Sequence, residues 1–180
     1  GTFVTAPHRW HLLDPDIISW IFAGNPDERL LKGLFELRTI VEPAAAALAA
    51  ERRTADQLQA LRDSLDRMTT HSLAISDGQQ ADCDFHQTLL NASGNPFLVS
   101  LTSGVVAAVT WTTIFKQRKT PLRRNPLPDH ERVYRAVASC NPPAAHKAMT
   151  ELVSLALLDT TQVSSIRRRR RDKRRRASHA

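Results

Sequence analysis

From Asp27 onward, apolar side chains recur three and four positions apart, with charges between them. That spacing lays one apolar stripe along a helix. Leu30, Leu31, Leu34, Leu37, Ile40 and Val41 predict a helix from Asp27 to about Arg53. Pro43 should kink or split it, and the thin run Ala44 to Ala50 suits close helix packing. Thr54 caps a helix striped by Leu58, Leu61, Leu65, Met68 and Leu73. A turn at Asp77-Gly78 leads to a helix through Phe85, Leu89 and Leu90 that stops at Ser93-Gly94. Asn95 then caps, and Pro96 opens, a helix to about Lys119. After a loop marked by Pro121, Pro126 and Pro128, a helix starts at Pro128 or Asp129 and runs through His130, Val133, Tyr134 and Val137. Asn141-Pro142-Pro143 breaks it, and Ala144, Ala148, Leu152, Leu155 and Leu158 stripe a last helix. Ahead of Asp27, Asp14 and Pro15 start a short amphipathic helix that Gly24-Asn25-Pro26 ends. Only Gly1 to Thr5, with Phe3 and Val4, reads as a strand. The expectation is an all-α antiparallel bundle of six to seven helices, with a remnant strand at its start.

Charge changes this picture at one place. The formal net charge is +7, with 25 Lys and Arg against 18 Asp and Glu. Nine of those bases, with a single acid, fill residues 167 to 176, so the other 16 bases face 17 acids. The body is near neutral, and the run should be a disordered, solvated arm. The division is therefore residues 1–26 as strand end and linker helix, 27–160 as helical domain, and 161–180 as Arg-rich tail. At 42% hydrophobic, the body can bury a core without disulfides. Two cysteines and no signal peptide give a cytoplasmic reading with free thiols. Phe97 to Phe115 carries no charge over 19 residues, but its hydroxyls suit a buried bundle helix better than a membrane span.

The candidate chemistry lies in Asp82-Cys83-Asp84-Phe85-His86. On a helix, Asp82 and His86 stand one turn apart on one face. A carboxylate and an imidazole so placed are two ready ligands for a first-row metal, although the same pair is an ordinary intrahelical contact. No Gly-rich phosphate loop and no Gly-x-Ser-x-Gly elbow occurs.

Phe35-Glu36-Leu37-Arg38-Thr39-Ile40-Val41-Glu42-Pro43, the Asp82 to His86 motif, Ala92-Ser93-Gly94-Asn95-Pro96, His130, and Ala145-His146-Lys147-Ala148-Met149 follow in a characteristic order. Together they resemble the FadR-type branch of the GntR transcription regulators, in its effector-binding half, the FCD domain. Gly1-Thr2-Phe3-Val4 is similar to the last strand of that family's winged DNA-binding domain. Trp10-His11-Leu12-Leu13-Asp14-Pro15-Asp16 resembles the linker of its sugar-acid branch. The resemblance implies a homodimeric sensor that binds a small organic acid, a sugar acid or hydroxy acid, and meets DNA only through an N-terminal domain missing here. It implies zinc or nickel held by Asp82, His86 and His130, with Arg38 reaching the effector's carboxylate. The fourth ligand it implies falls at Leu152, which cannot coordinate. Either three ligands hold a metal with open positions, or the pocket is metal-free and Asp82 and His86 pair or touch the effector. For Arg38, a plain pair with Glu42 at i,i+4 is the competing reading. A two-His-one-carboxylate enzyme, and a nucleic-acid or scaffold protein acting through the basic tail, are the alternative functions.

Overall fold

The computed structural model describes residues 10–23, 27–117 and 124–177, with side chains up to residue 114 in one helix and 161 in the last. Among the described residues there are eight helices and no strand: α1 (Pro15–Ala23), α2 (Glu28–Arg52), α3 (Ala55–His71), α4 (Ser76–Ala92), α5 (Pro96–Ser100), α6 (Thr102–Gln117), α7 (Leu127–Ala138) and α8 (Pro142–Ala177). The all-α expectation holds. The expected strand at Gly1 to Thr5, the stop at Gly24-Asn25-Pro26 and the helix end at Lys119 lie outside the described residues.

The caps behave as their side chains dictate. Asp27 Oδ1 accepts the Arg29 N–H at 2.9 Å. Thr54 and Gln57 form a reciprocal capping box. Asn95 Oδ1 accepts the Phe97 N–H at 3.0 Å, and Asn141 Oδ1 accepts the Ala144 N–H at 3.1 Å. Helix α2 runs through Pro43 without a break. The helix expected from Asn95 onward is two helices, with the break at Leu101. There Ser100 Oγ donates to the Phe97 carbonyl at 2.7 Å, a local bond that competes with helix continuation.

Packing follows two apolar clusters. The larger joins Phe35, Leu61, Leu65, Phe85, Leu89, Val133, Met149 and Leu152 from α2, α3, α4, α7 and α8. The smaller joins Val41, Cys83, Leu90, Val105 and Val109 on the α2, α4 and α6 side. Helix α2 packs against α8 and α4, α3 against α4 and α7, and α1 against α6. Two apolar expectations fail, since Ile40 is 72% and Leu158 is 54% exposed. The buried stripe of α2 is instead Leu31, Phe35, Arg38, Glu42, Ala45 and Ala49, so two charged residues sit mid-stripe. The backbone of α8 is helical through Ala177, and so continues into the arginine run where the charge pattern led one to expect coil. Arginine is a strong helix former, which fits that outcome.

Candidate functional site

Three helices bring the predicted residues together. Asp82 and His86 come from α4, Arg38 from α2 and His130 from α7, and all four are buried. Asp82, His86 and His130 offer ligand atoms that all lie within 4.8 Å of one another. Asp82 Oδ1 stands 2.9 Å from His130 Nε2 and 3.7 Å from His86 Nε2. The two imidazoles meet edge to face, with centroids 5.5 Å apart, and Phe85 sets its ring edge-on to both. Thr113 on α6 donates to Asp82 Oδ2 at 3.1 Å.

The far side of each imidazole fixes its chemistry. His130 Nδ1 lies 2.9 Å from the Pro126 carbonyl, which can only accept. Nδ1 therefore carries a proton, and Nε2 is the nitrogen turned toward Asp82. No hydrogen bond of acceptable geometry satisfies that Nε2, although it is buried. His86 Nδ1 faces Glu42 Oε2 at 2.6 Å, off the line of a good hydrogen bond. A carboxylate there favours a proton on Nδ1, and Nε2 is the nitrogen on the Asp82 side.

Glu42 is the residue that sequence reasoning missed. It accepts from Arg38 Nε at 2.6 Å and sits 2% exposed. Burial alone would raise its carboxyl, but the Arg38 guanidinium and His86 outweigh that and bring it from 4.5 to about 2. The i,i+4 pair was read as a surface alternative to a pocket role for Arg38. In the structure the pair forms and is buried, and Arg38 lines the pocket at the same time. Arg38 Nη1 also donates to Thr112 Oγ1 at 3.2 Å. The signal in the sequence was that Glu42 shares the stripe of Phe35, Arg38 and Ala45.

Arg38, Asp82, His86 and His130 line one cavity, an empty space of about 450 Å³ counting its opening to solvent. Leu73, Val109, Leu152 and Ala156 supply apolar wall, and Arg124 and Asp159 stand beside them. Leu152, where a fourth ligand was expected, is part of that wall. Arg124 is ion-paired with the buried Asp129 and reaches Asp159 at 3.4 Å, which ties the start of α7 to α8. These three acidic and basic groups had no sequence signature, because only the tertiary fold joins them. Cys83, beside Asp82, is no ligand candidate: burial first, then the neighbouring carboxylates, push its thiol up to about 11.

Residues 33–155 match the family described as the FCD domain. The chain is similar to the galactonate operon transcriptional repressor of Escherichia coli strain K12, 32% identical over 105 residues, covering 58% of this chain and 46% of that protein. It is 35% identical over 126 residues to the HTH-type transcriptional regulator LutR of Bacillus subtilis strain 168, covering 66% of this chain and 57% of that one. A solved structure, Streptococcus agalactiae GntR, superposes with a TM-score of 0.60 at 30% identity, over 74% of this chain and 60% of its own. The chain thus spans about half the length of the curated relatives it matches.

Proposed function

The chain belongs to the FCD domain family, and from that premise we propose that it is the effector-sensing unit of a GntR-type transcription regulator. Its effector is a short hydroxy acid, bound with a divalent metal at Asp82, His86 and His130. The observation that carries this reading is the pair of imidazole Nε2 atoms turned toward Asp82 Oδ1, with Glu42 and the Pro126 carbonyl behind them. One carboxylate oxygen and two imidazole nitrogens that converge in a buried site form a place where a cation would be held.

The donor set fits such an ion. Ligands about 2.0–2.2 Å from one metal lie roughly 3.0–3.4 Å apart, close to the 2.9 and 3.7 Å seen here. Two nitrogens and one oxygen suit zinc or nickel. Bound there, the metal would offer positive charge and open positions to a carboxylate. Arg38 adds to that charge. Glu42 and Thr112 engage two of its five donors, so the guanidinium can still meet a carboxylate.

The wall favours a hydroxy acid with a short alkyl part over a longer sugar acid. Thr113 bonds to Asp82 and Asp159 to Arg124, whose buried Nε has no partner among the described residues, while the side chains of Leu73, Val109, Leu152 and Ala156 offer no hydrogen bonds. Several sugar hydroxyls buried there would lose water without replacement. Because α2, α4, α6, α7 and α8 all border the cavity, an occupant that binds one arrangement better shifts the bundle toward it. In the intact regulator, a homodimer relays that shift to DNA-binding domains. The relatives are named as regulators or repressors, and a carboxyl held at about 2 is a poor general base, so catalysis by this cluster draws no support.

Thermal-shift titration of short 2-hydroxy acids against five- and six-carbon sugar acids, with zinc, nickel or chelator, tests this. The short acids should stabilise the chain by about 2.7 kcal/mol at a hundred times Kd, only with metal, and not in Asp82→Ala. Stabilisation that survives chelator would sink the metal, and preference for the sugar acids would sink the effector class.

A further inference from the structure

The arginine run holds nine of the 25 basic residues. One continuous helix carries it. Helix α8 buries Ala145, Met149, Leu152, Val153, Ala156 and Thr160 in the bundle and stays helical through Ala177. We propose that residues 167–176 are a sequence-independent nucleic-acid-binding arm whose partner is the phosphate backbone of duplex DNA. It acts in addition to any operator-reading domain and independently of the effector reading.

Five points choose that partner. Ten helical residues rise about 15 Å. Duplex DNA presents one charge per ~1.7 Å of axis, so roughly nine phosphates lie along the length over which the chain carries nine bases. Eight of the nine are arginine, the residue whose planar fork matches phosphate oxygens. Between Arg167 and Arg176 there is no apolar residue, and a helix that lies in a membrane surface needs an apolar face. The rest of the chain has 16 bases and 17 acids, so it has no excess charge to hold the run against itself. A helix of about 10–12 Å diameter enters the wide major groove of B-form DNA but not the deep, narrow groove of duplex RNA.

The test uses the full chain and a labelled duplex of arbitrary sequence, with anisotropy read between about 50 and 200 mM salt. Its variant replaces Arg167, Arg168, Arg169, Arg174 and Arg175 with Gln, which keeps helix propensity. Two unrelated duplexes should bind equally, and their affinity should fall about a thousandfold or more across that salt range. The variant's slope of log affinity on log salt should be shallower by about four, with an unchanged thermal midpoint. Equal slopes for variant and parent, no salt-sensitive binding, or tighter binding of duplex RNA would overturn the proposal. So would capture by phosphatidylserine vesicles at a salt concentration where DNA is not bound.

Discussion

Glu42 holds two partners with one carboxylate, and its energetics make a testable statement. Oε1 takes the Arg38 guanidinium and Oε2 faces His86, both at 2.6 Å. Burial opposes the charge, yet the two partners hold the carboxyl at about 2 rather than 4.5. Between those values the unfolded chain binds the extra proton, so stability rises with pH. The contribution is complete above about pH 4.5 and is lost as pH falls toward 2, a loss on the order of 3 kcal/mol. Urea unfolding at pH 5 and pH 3 should therefore show a smaller pH-dependent loss in Glu42→Gln than in the parent. Equal losses would mean the carboxylate is not held as described. The same residue shows where reading the sequence stops. Asp82 and His86 were legible because ligand chemistry needs that spacing, and His130 through the family resemblance. That Arg38 and Glu42 turn inward was not legible, since a charged i,i+4 pair has the same spacing on either face. Only the apolar company of Phe35 and Ala45 breaks the tie.

The helices succeed or fail as expectations according to what ends them. Asp27, Thr54 and Asn95 were readable because a capping side chain acts within three residues of itself. The start of α4 was not. Asp77-Gly78 looks like a turn, but the reversal comes earlier, at Ser72 with φ +59, and Gly78 lies inside the first turns of α4. Its glycine character serves a close approach. A Cβ on Gly78 would fall 1.8 Å from the Ser72 carbonyl oxygen and 2.4 Å from its carbon. Backbone cannot swing aside as a long side chain can, so Gly78→Ala must move the α3–α4 connection. The expected cost is about 1–3 kcal/mol, or roughly 2–12 °C in Tm for a chain this size. Because α4 also carries Asp82 and His86, the same variant should weaken metal uptake more than its stability loss alone accounts for. Calorimetric unfolding with and without zinc separates the two, and an unshifted Tm would show that the contact is not as tight as the coordinates place it. Helix α5 and the exposure of Ile40 and Leu158 had no such local signal, because each depends on which neighbours the bundle supplies.

The bundle as a whole surrounds its polar cluster with a wall that the sequence described only in part. Amphipathic stripes gave the all-α architecture, and no described helix is long and apolar enough to cross a membrane. They could not say what a leucine does where the family resemblance leads one to expect a ligand. Leu152 on α8 is 3% exposed and lines the same cavity as Asp82, His86 and His130. On the proposed reading it leaves three protein ligands and, beside them, a surface for an effector's hydrocarbon. That arrangement makes opposite demands on one substitution. Leu152→His places an imidazole in that wall, where it can complete a four-ligand set. Competition against a chelating dye should then give zinc affinity at least about tenfold tighter than the parent, or 1.4 kcal/mol. With chelator present the variant should unfold at lower temperature, since it buries another imidazole beside two others without a cation to satisfy them. Its response to short hydroxy acids should fall as well, because the new ligand takes an open position and removes the apolar contact. Leu152→Ala is the control: it loses packing and adds no ligand, so its metal affinity should not rise. If Leu152→His binds zinc no more tightly than the parent, the imidazoles do not converge on a metal, and the cavity is a place where Asp82 and the two histidines merely pair.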